Sequence, residues 1–259
     1  MPANPNPDSC IEKAHEGGGG TVPETLLTEI PGRDPIELVA WCETLESYYP
    51  TCEQGLKGWC CRTVEPDWNI FDCGAHIGYY SILFSQLAPD GRVWAFEPDH
   101  ENGKKLVYNL AHNEAWNVAV VPQALSDTPG ERSDIIHAVW GEDAKPTSFV
   151  FTTIDEQVRD KGLGRLDLIK IDVDSFEMEV LGGARETIER FNPFIAIEVN
   201  GAAELRGNTR QDVLRLLVDM GYTQAEVYDS ENFILKRGHT FDRPIDIVML
   251  SESVNYYLI

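Results

Sequence analysis

Basic residues are scarce in this chain: 21 Lys and Arg stand against 43 Asp and Glu, for a formal net charge of −22. Phosphate affinity comes mainly from Lys and Arg, so this balance argues against a nucleic-acid partner. Its plainer consequence is a solvated surface that resists aggregation. Long apolar runs are also lacking. None approaches the roughly eighteen residues needed to span a bilayer, and the first residues form no signal peptide, so the expectation is a soluble cytoplasmic protein without a membrane partner. The six cysteines, Cys10, Cys42, Cys52, Cys60, Cys61 and Cys73, contain no Cys-x-x-Cys pair. Adjacent Cys60 and Cys61 point to different sides of an extended chain, which disfavours a structural zinc site, and without an export signal the thiols are expected to be reduced.

At 259 residues and 42% hydrophobic, the chain can bury one sizeable core. Its most informative stretch is Asn69 to Asp99, NIFDCGAHIGYYSILFSQLAPDGRVWAFEPD. Asn69 to Cys73 reads as a short buried strand, Gly74 and Gly78 bracket a tight turn, and Tyr79 to Leu87 carries apolar residues at helical spacing. Pro89-Asp90-Gly91 breaks that helix, and Arg92 to Phe96 reads as a second strand. Glu97 stands just past its end, where an acid can accept hydrogen bonds from both hydroxyls of a ribose.

A dinucleotide fingerprint wants a third glycine, so that backbone N–H groups can meet a pyrophosphate. This loop has two, and its strand ends on Asp72, a carboxylate that repels phosphate but suits an α-ammonium. S-adenosylmethionine offers an ammonium and a ribose and carries no phosphate. A nicotinamide-dependent oxidoreductase is the disfavoured alternative. The plain reading of the same residues is that Asp72 caps the turn and the glycines permit it.

Further along, Asp34-Pro35 looks like a helix start, with Leu38, Trp41, Cys42, Leu45 and Tyr49 forming a stripe to Pro50. A helix is expected from Asp99 to Asn113 and a strand at Val118 to Val121. Residues Asp127 to Lys145 look polar and irregular, and Phe149 to Thr153 alternates like a strand. Leu166 to Val173 reads as a buried parallel strand, Phe176 to Phe191 as one helix, and Phe194 to Val199 as another strand. A capped helix follows to Met220, then a hairpin of Thr223 to Tyr228 and Phe233 to Lys236. Such alternation implies a parallel sheet covered on both faces, whose ligands sit beyond the carboxyl ends of the strands. Asp72, His76, Glu97, Asp172, Asp174, Glu198 and Asn200 gather on that rim.

From about Thr63 to Lys236 the chain resembles the FkbM family of S-adenosylmethionine-dependent methyltransferases. The resemblance is carried by DCGAHIGYYS, VWAFEPD, Asn109 with Asn113, ALSDTPG from Ala124, FTTIDE, and DLIKIDVDSFEMEVLGGA from Asp167. Asp174-Ser175 stands where the family has Glu-Gly, and His76 replaces a usual Asn. The resemblance implies an α/β, Rossmann-like class I methyltransferase fold, with a seven-stranded, mostly parallel sheet ending in an antiparallel hairpin. It suggests a flexible leader at 1–22, a helical N-terminal segment covering the site at 23–62, and the methyltransferase domain at 63–259. It also implies a cofactor-binding set of Asp72, Gly74, His76, Gly78, Tyr79, Glu97, Pro98, Ser126 and Asp172. The expected reaction is O-methylation of a small molecule, such as a secondary metabolite, glycoside or polyketide. A noncatalytic S-adenosylmethionine-binding scaffold subunit is the alternative, and the apolar tail from Phe241 to Ile259 can pack on the domain or mediate a homodimer.

Methyl transfer requires an aligned acceptor oxygen and a place for its proton. His76, Asp172 and Asp174 are the candidate bases; His76 can equally hydrogen-bond the cofactor carboxylate. Asp172 as a rim carboxylate should matter to turnover more than to stability. Asp172 with Glu198 and Asn200 can alternatively hold Mg²⁺ or Mn²⁺ through oxygen ligands, a reading that is not the favoured one.

Overall fold

A computed structural model describes residues 25–41, 43–136 and 145–252. The expected leader, Cys10, Cys42, the whole segment between Ile136 and Lys145, and the last residues of the tail lie outside them. Around Gly74 the expected β-loop-α-β unit forms as read: β3 is Asn69–Cys73, α3 is Tyr79–Leu87 and β4 is Arg92–Phe96. Neighbouring residues of β3 face opposite ways. Ile70 packs with Ile82, Val93 and Leu168 on one side, while Phe71 packs with Trp94, Ile169 and Ile195 on the other. Two cores, one on each face, therefore sandwich the sheet, and its parallel strands can be apolar throughout.

After α4 (His100–His112) come β5 (Val118–Val121), β9 (Leu168–Ile171) and β10 (Phe194–Glu198). The antiparallel pair β11 (Gln224–Tyr228) and β12 (Asn232–Leu235) follows. Across the sheet the order is β5-β4-β3-β9-β10-β12-β11. β12 runs antiparallel to β10 and the strands from β10 to β5 are mutually parallel. This is the expected Rossmann-like class I methyltransferase sheet, with one addition: β13 (Ile245–Asp246) pairs with β11 as an eighth, edge strand. The β11–β12 turn places Asp229 and Ser230 at φ 51° and 70°, the paired left-handed conformation of a tight hairpin. The order reverses between β3 and β9, so the chain leaves a crevice beyond their carboxyl ends.

Four expectations are corrected. The single helix from Asp34 to Pro50 is instead strand β2 (Ile36–Val39), paired with β1 (Thr25–Thr28), then a short α1 (Glu43–Tyr48). Ile36 and Val39 are β-branched and take a long-range antiparallel partner that a local stripe cannot reveal, and Trp41, at φ 66°, breaks the path. Helix α2 (Gln54–Thr63) then leads into β3, so Cys60 and Cys61 lie on a helix and not on the extended chain expected for them. The polar stretch after Asp127 contains β7 (Gly130–Asp134), which joins β8 (Thr147–Thr152) and β6 (Ala124–Leu125) in a small separate sheet. The helix expected over 176–191 divides into α6 (Glu177–Gly182) and α7 (Arg185–Phe191). A Cβ at Gly183 would lie 2.2 Å from the Ser126 carbonyl oxygen, so the helix breaks where another backbone passes.

Candidate functional site

A cavity of about 500 Å³ opens beyond the carboxyl ends of β3, β4, β9 and β10, within the range of small-ligand sites. Two glycine features shape its floor. Gly74 has φ 82°, and a Cβ there would fall 1.8 Å from the Asp172 carbonyl oxygen, so the loop after β3 can press against the end of β9. Gly78 has φ 99° and yields to Leu106, which a Cβ would approach to 2.8 Å.

On the β3–β4 side, Asp72 is wholly buried, and its Oδ2 accepts from Ser81 Oγ at 2.6 Å. Its Oδ1 is buried without a hydrogen-bond partner, and burial raises its pKa against the pull of Lys170. Glu97 accepts from the His76 backbone N–H through Oε2 at 2.8 Å and from the Asp99 N–H through Oε1 at 2.9 Å. Each oxygen keeps a second lone pair for a ligand. Burial pushes its carboxyl up to about 8, with the two backbone donors opposing the rise.

On the β9–β10 side, the Asp172 carboxylate accepts from Lys170 Nζ at 2.9 Å, and the same ammonium stands 3.9 Å from Asp72 Oδ1. Lys170 is 3% exposed. Burial works against its charge, but Asp172, Asp72 and Glu53 outweigh burial and hold the ammonium above its ordinary pKa. Glu198 is pushed up to about 9 by burial, then by Asp172 and Glu53. The N-terminal segment closes this end with Tyr48, Tyr49 and Glu53. The Tyr49 hydroxyl lies 2.7 Å from His76 Nδ1, tying the segment to the loop after β3.

Of the residues singled out from sequence, Asp72, Gly74, His76, Tyr79, Glu97 and Pro98 line this cavity together with Asp172, Asp174, Glu198 and Asn200. Two do not. Gly78 acts through the turn, and Ser126 sits one residue beyond the lining Leu125, its hydroxyl accepting from Arg132 at 2.8 Å. Asp172 also differs from expectation, because its bond to a buried lysine gives it a share in stability. Sequence reading missed Lys170, Glu53 and Tyr49. The signal for Lys170 was a cation inside an otherwise apolar strand, LIKID, which only a buried counter-charge can justify.

Asn200, one of the three oxygen ligands considered for a cation, is engaged within the protein. Asn200 Oδ1 accepts from the Ala202 N–H at 2.7 Å, capping a short 3₁₀ turn, and its Nδ2 donates to Glu198 at 2.8 Å. Among the described residues no group of three or more His, Cys, Asp or Glu is placed to hold a metal ion. No described helix is long and apolar enough to cross a membrane.

Sheet order and the crevice at its reversal are those of a Rossmann-like class I methyltransferase fold. The profile of the methyltransferase FkbM domain matches residues 72–223, more than half of the chain. The chain belongs to that family. It is similar to the hexuronic acid methyltransferase AglP of Haloferax volcanii, at 25% identity over 181 residues, covering 67% of this chain and 72% of AglP. The 2-O-methyltransferase NoeI of Sinorhizobium fredii is 26% identical over 181 residues, covering 60% of this chain and 72% of NoeI. A match to the AMB antimetabolite synthetase AmbE of Pseudomonas aeruginosa, 28% identical, takes 58% of this chain but only 9% of AmbE. Among solved structures, methyltransferase FkbM from Methylobacillus flagellatus KT superposes with a TM-score of 0.49 and 21% identity, over 66% of this chain and 43% of that one. The chain thus spans less than half the length of these last two.

Proposed function

We propose that the chain is an S-adenosylmethionine-dependent O-methyltransferase acting on a hydroxyl of a small molecule. The observation that carries the reading is the Asp72 and Glu97 pair on one side of a single cavity, with Asp172 on the other. Asp72 Oδ1, buried and lacking a hydrogen-bond donor, fits an α-ammonium. Glu97, with a lone pair left on each oxygen, fits the two ribose hydroxyls. S-adenosylmethionine, when bound, supplies a methyl group whose bonding electron pair returns to its sulfur as the acceptor oxygen forms the new C–O bond.

The chain's own contribution is placement and proton removal. Asp172 is held by Lys170 through Oδ2, and its side chain is one-third exposed, so Oδ1 is the oxygen available to an acceptor hydroxyl and its departing proton. Lys170, sitting between Asp72 and Asp172, fixes the two sides of the cavity relative to each other. His76 holds Glu97 through its backbone and meets Tyr49 through its ring, so its role is to set the loop. The name of NoeI, a 2-O-methyltransferase, supports transfer to oxygen, and that of AglP, a hexuronic acid methyltransferase, supports an acceptor of the sugar kind. The reading is tested by incubating the protein with methyl-labelled S-adenosylmethionine and a panel of sugars and other hydroxyl compounds. S-adenosylhomocysteine should form in equal amount with a labelled methyl ether. Binding of S-adenosylmethionine with no transfer to any hydroxyl would favour the scaffold alternative instead.

A further inference from the structure

On the acceptor side the cavity wall is acidic in a way that folding does not require. Glu53 Oε1 accepts from Asn232 Nδ2 at 3.1 Å, and Glu198 Oε2 accepts from Asn200 Nδ2 at 2.8 Å. Each carboxylate is thus steadied by a neutral amide through one oxygen, and among the described residues neither forms a salt bridge. The cation that acts on both is Lys170, and its ammonium is already bonded to Asp172. Glu231, also on the wall, is different, since Arg210 stands 3.6 Å from it. Both are half-buried beside like charges, where a carboxylate without a counter-charge is costly.

One feature of the same wall points outward to a ligand. Tyr80, 5% exposed, lines the cavity with its hydroxyl turned toward Glu53. Tyr48 lines the mouth and is half exposed, packed edge-on against Tyr49 with ring centroids 5.4 Å apart. An exposed aromatic face beside two carboxylates is a favourable seat for an organic cation.

We propose that the acceptor carries a basic amine, received as an ammonium by Glu53 and Glu198 beside Tyr48, while its hydroxyl meets Asp172. The inference rests on the O-methyltransferase reading and adds the charge of the substrate. An amino alcohol or amino sugar satisfies the wall; a carboxylated acceptor meets repulsion from it. Burial, Asp172 and Glu53 push Glu198 up, so it is largely protonated when no cation is near, and an ammonium beside it favours the carboxylate.

The test uses three size-matched probes, 2-amino-2-deoxyglucose, glucose and glucuronate, titrated by nuclear magnetic resonance into the full chain saturated with S-adenosylhomocysteine. The amine should bind at least about tenfold more tightly than glucose, a difference of about 1.4 kcal/mol, with glucuronate weakest. Glu53→Gln and Glu198→Gln keep the shape and the amide contacts and should each shrink that gap severalfold. Their affinity for S-adenosylhomocysteine should stay at the parent value, which also shows that they fold. Equal binding of the three probes, preference for glucuronate, absence of binding by the amine, or a gap unchanged in both variants overturns the proposal. Failure of the parent to bind S-adenosylhomocysteine would instead strike the O-methyltransferase reading.

Discussion

Replacing Lys170 with Met should expose how strongly the two sides of the cavity depend on one ammonium. Lys170 Nζ lies 2.9 Å from Asp172 Oδ2 and 3.9 Å from Asp72 Oδ1, and 4.7 Å from the centre of the Tyr80 ring. Removing one partner of a buried ion pair costs about 3–5 kcal/mol, because the remaining charge is stranded. Asp172 is one-third exposed and can turn to water, so its share is small; Asp72 is wholly buried and carries most of the loss. A cost near the lower bound, about 3 kcal/mol, corresponds to a fall in Tm of about 6–12 °C for a chain of this size. The pH dependence follows from Asp72, whose folded-state pKa burial has already raised. Without Lys170 it rises further, so the penalty is absent below the unfolded value of about 4 and grows as pH climbs toward the folded value. Thermal melts at acidic and mildly alkaline pH should therefore show the variant approaching the parent in acid. Adding Asp72→Asn should recover at least about 1 kcal/mol, the coupling expected of residues in contact. A loss below about 1 kcal/mol at pH 8, or no recovery in the double variant, would refute this reasoning.

Glu97→Ala should weaken S-adenosylmethionine binding by about 1.5–3 kcal/mol, the worth of hydrogen bonds to a charged group, with the fold retained by circular dichroism; unchanged affinity in calorimetry would remove Glu97 from the ribose site. Asp172→Asn should lower turnover at least about tenfold and, because Lys170 loses its closer partner, also lower the Tm, which a scan reads directly. Gly74→Ala should abolish cofactor binding or folding, since the new methyl would overlap the Asp172 carbonyl at 1.8 Å; a variant that titrates normally would contradict the packing of that loop. Ser175 occupies φ 99° where the family has glycine, so Ser175→Gly should raise stability by up to about 1 kcal/mol, after the extra freedom glycine gains in the unfolded chain is subtracted, as read from denaturant midpoints.

What could be read from the sequence was what local chemistry decides. Asn69 to Phe96 announced a strand, a turn, a helix and a strand because apolar runs, glycines and Pro89 punctuate it, and its bounds appear in the structure unchanged. Asp72, Glu97 and Asp172 were legible because each stands at a strand end, where topology alone brings acids together. Ile36 to Val39 was not, since its strand depends on pairing with Thr25 to Thr28 across a loop while its apolar residues mimic a helical stripe. Lys170 was hidden for a related reason: its second counter-charge, Asp72, lies on β3, brought alongside by parallel pairing of Asp72 with Lys170. Glu53 lines the cavity far from its sequence neighbours' strands, where Asn232 of β12 donates to it. Ser126 misled because one residue along a strand end turns a hydroxyl from the cavity toward Arg132.

On the proposed reading, Asp72 and Glu97 form a site for a nucleoside bearing an ammonium and no phosphate. Calorimetric titration of the full chain with S-adenosylmethionine, and separately with NAD, tests it most directly. S-adenosylmethionine should bind saturably, one to one and more weakly in Glu97→Ala, and NAD should give no measurable heat. Binding of NAD, or no binding of S-adenosylmethionine by the parent protein, would contradict it.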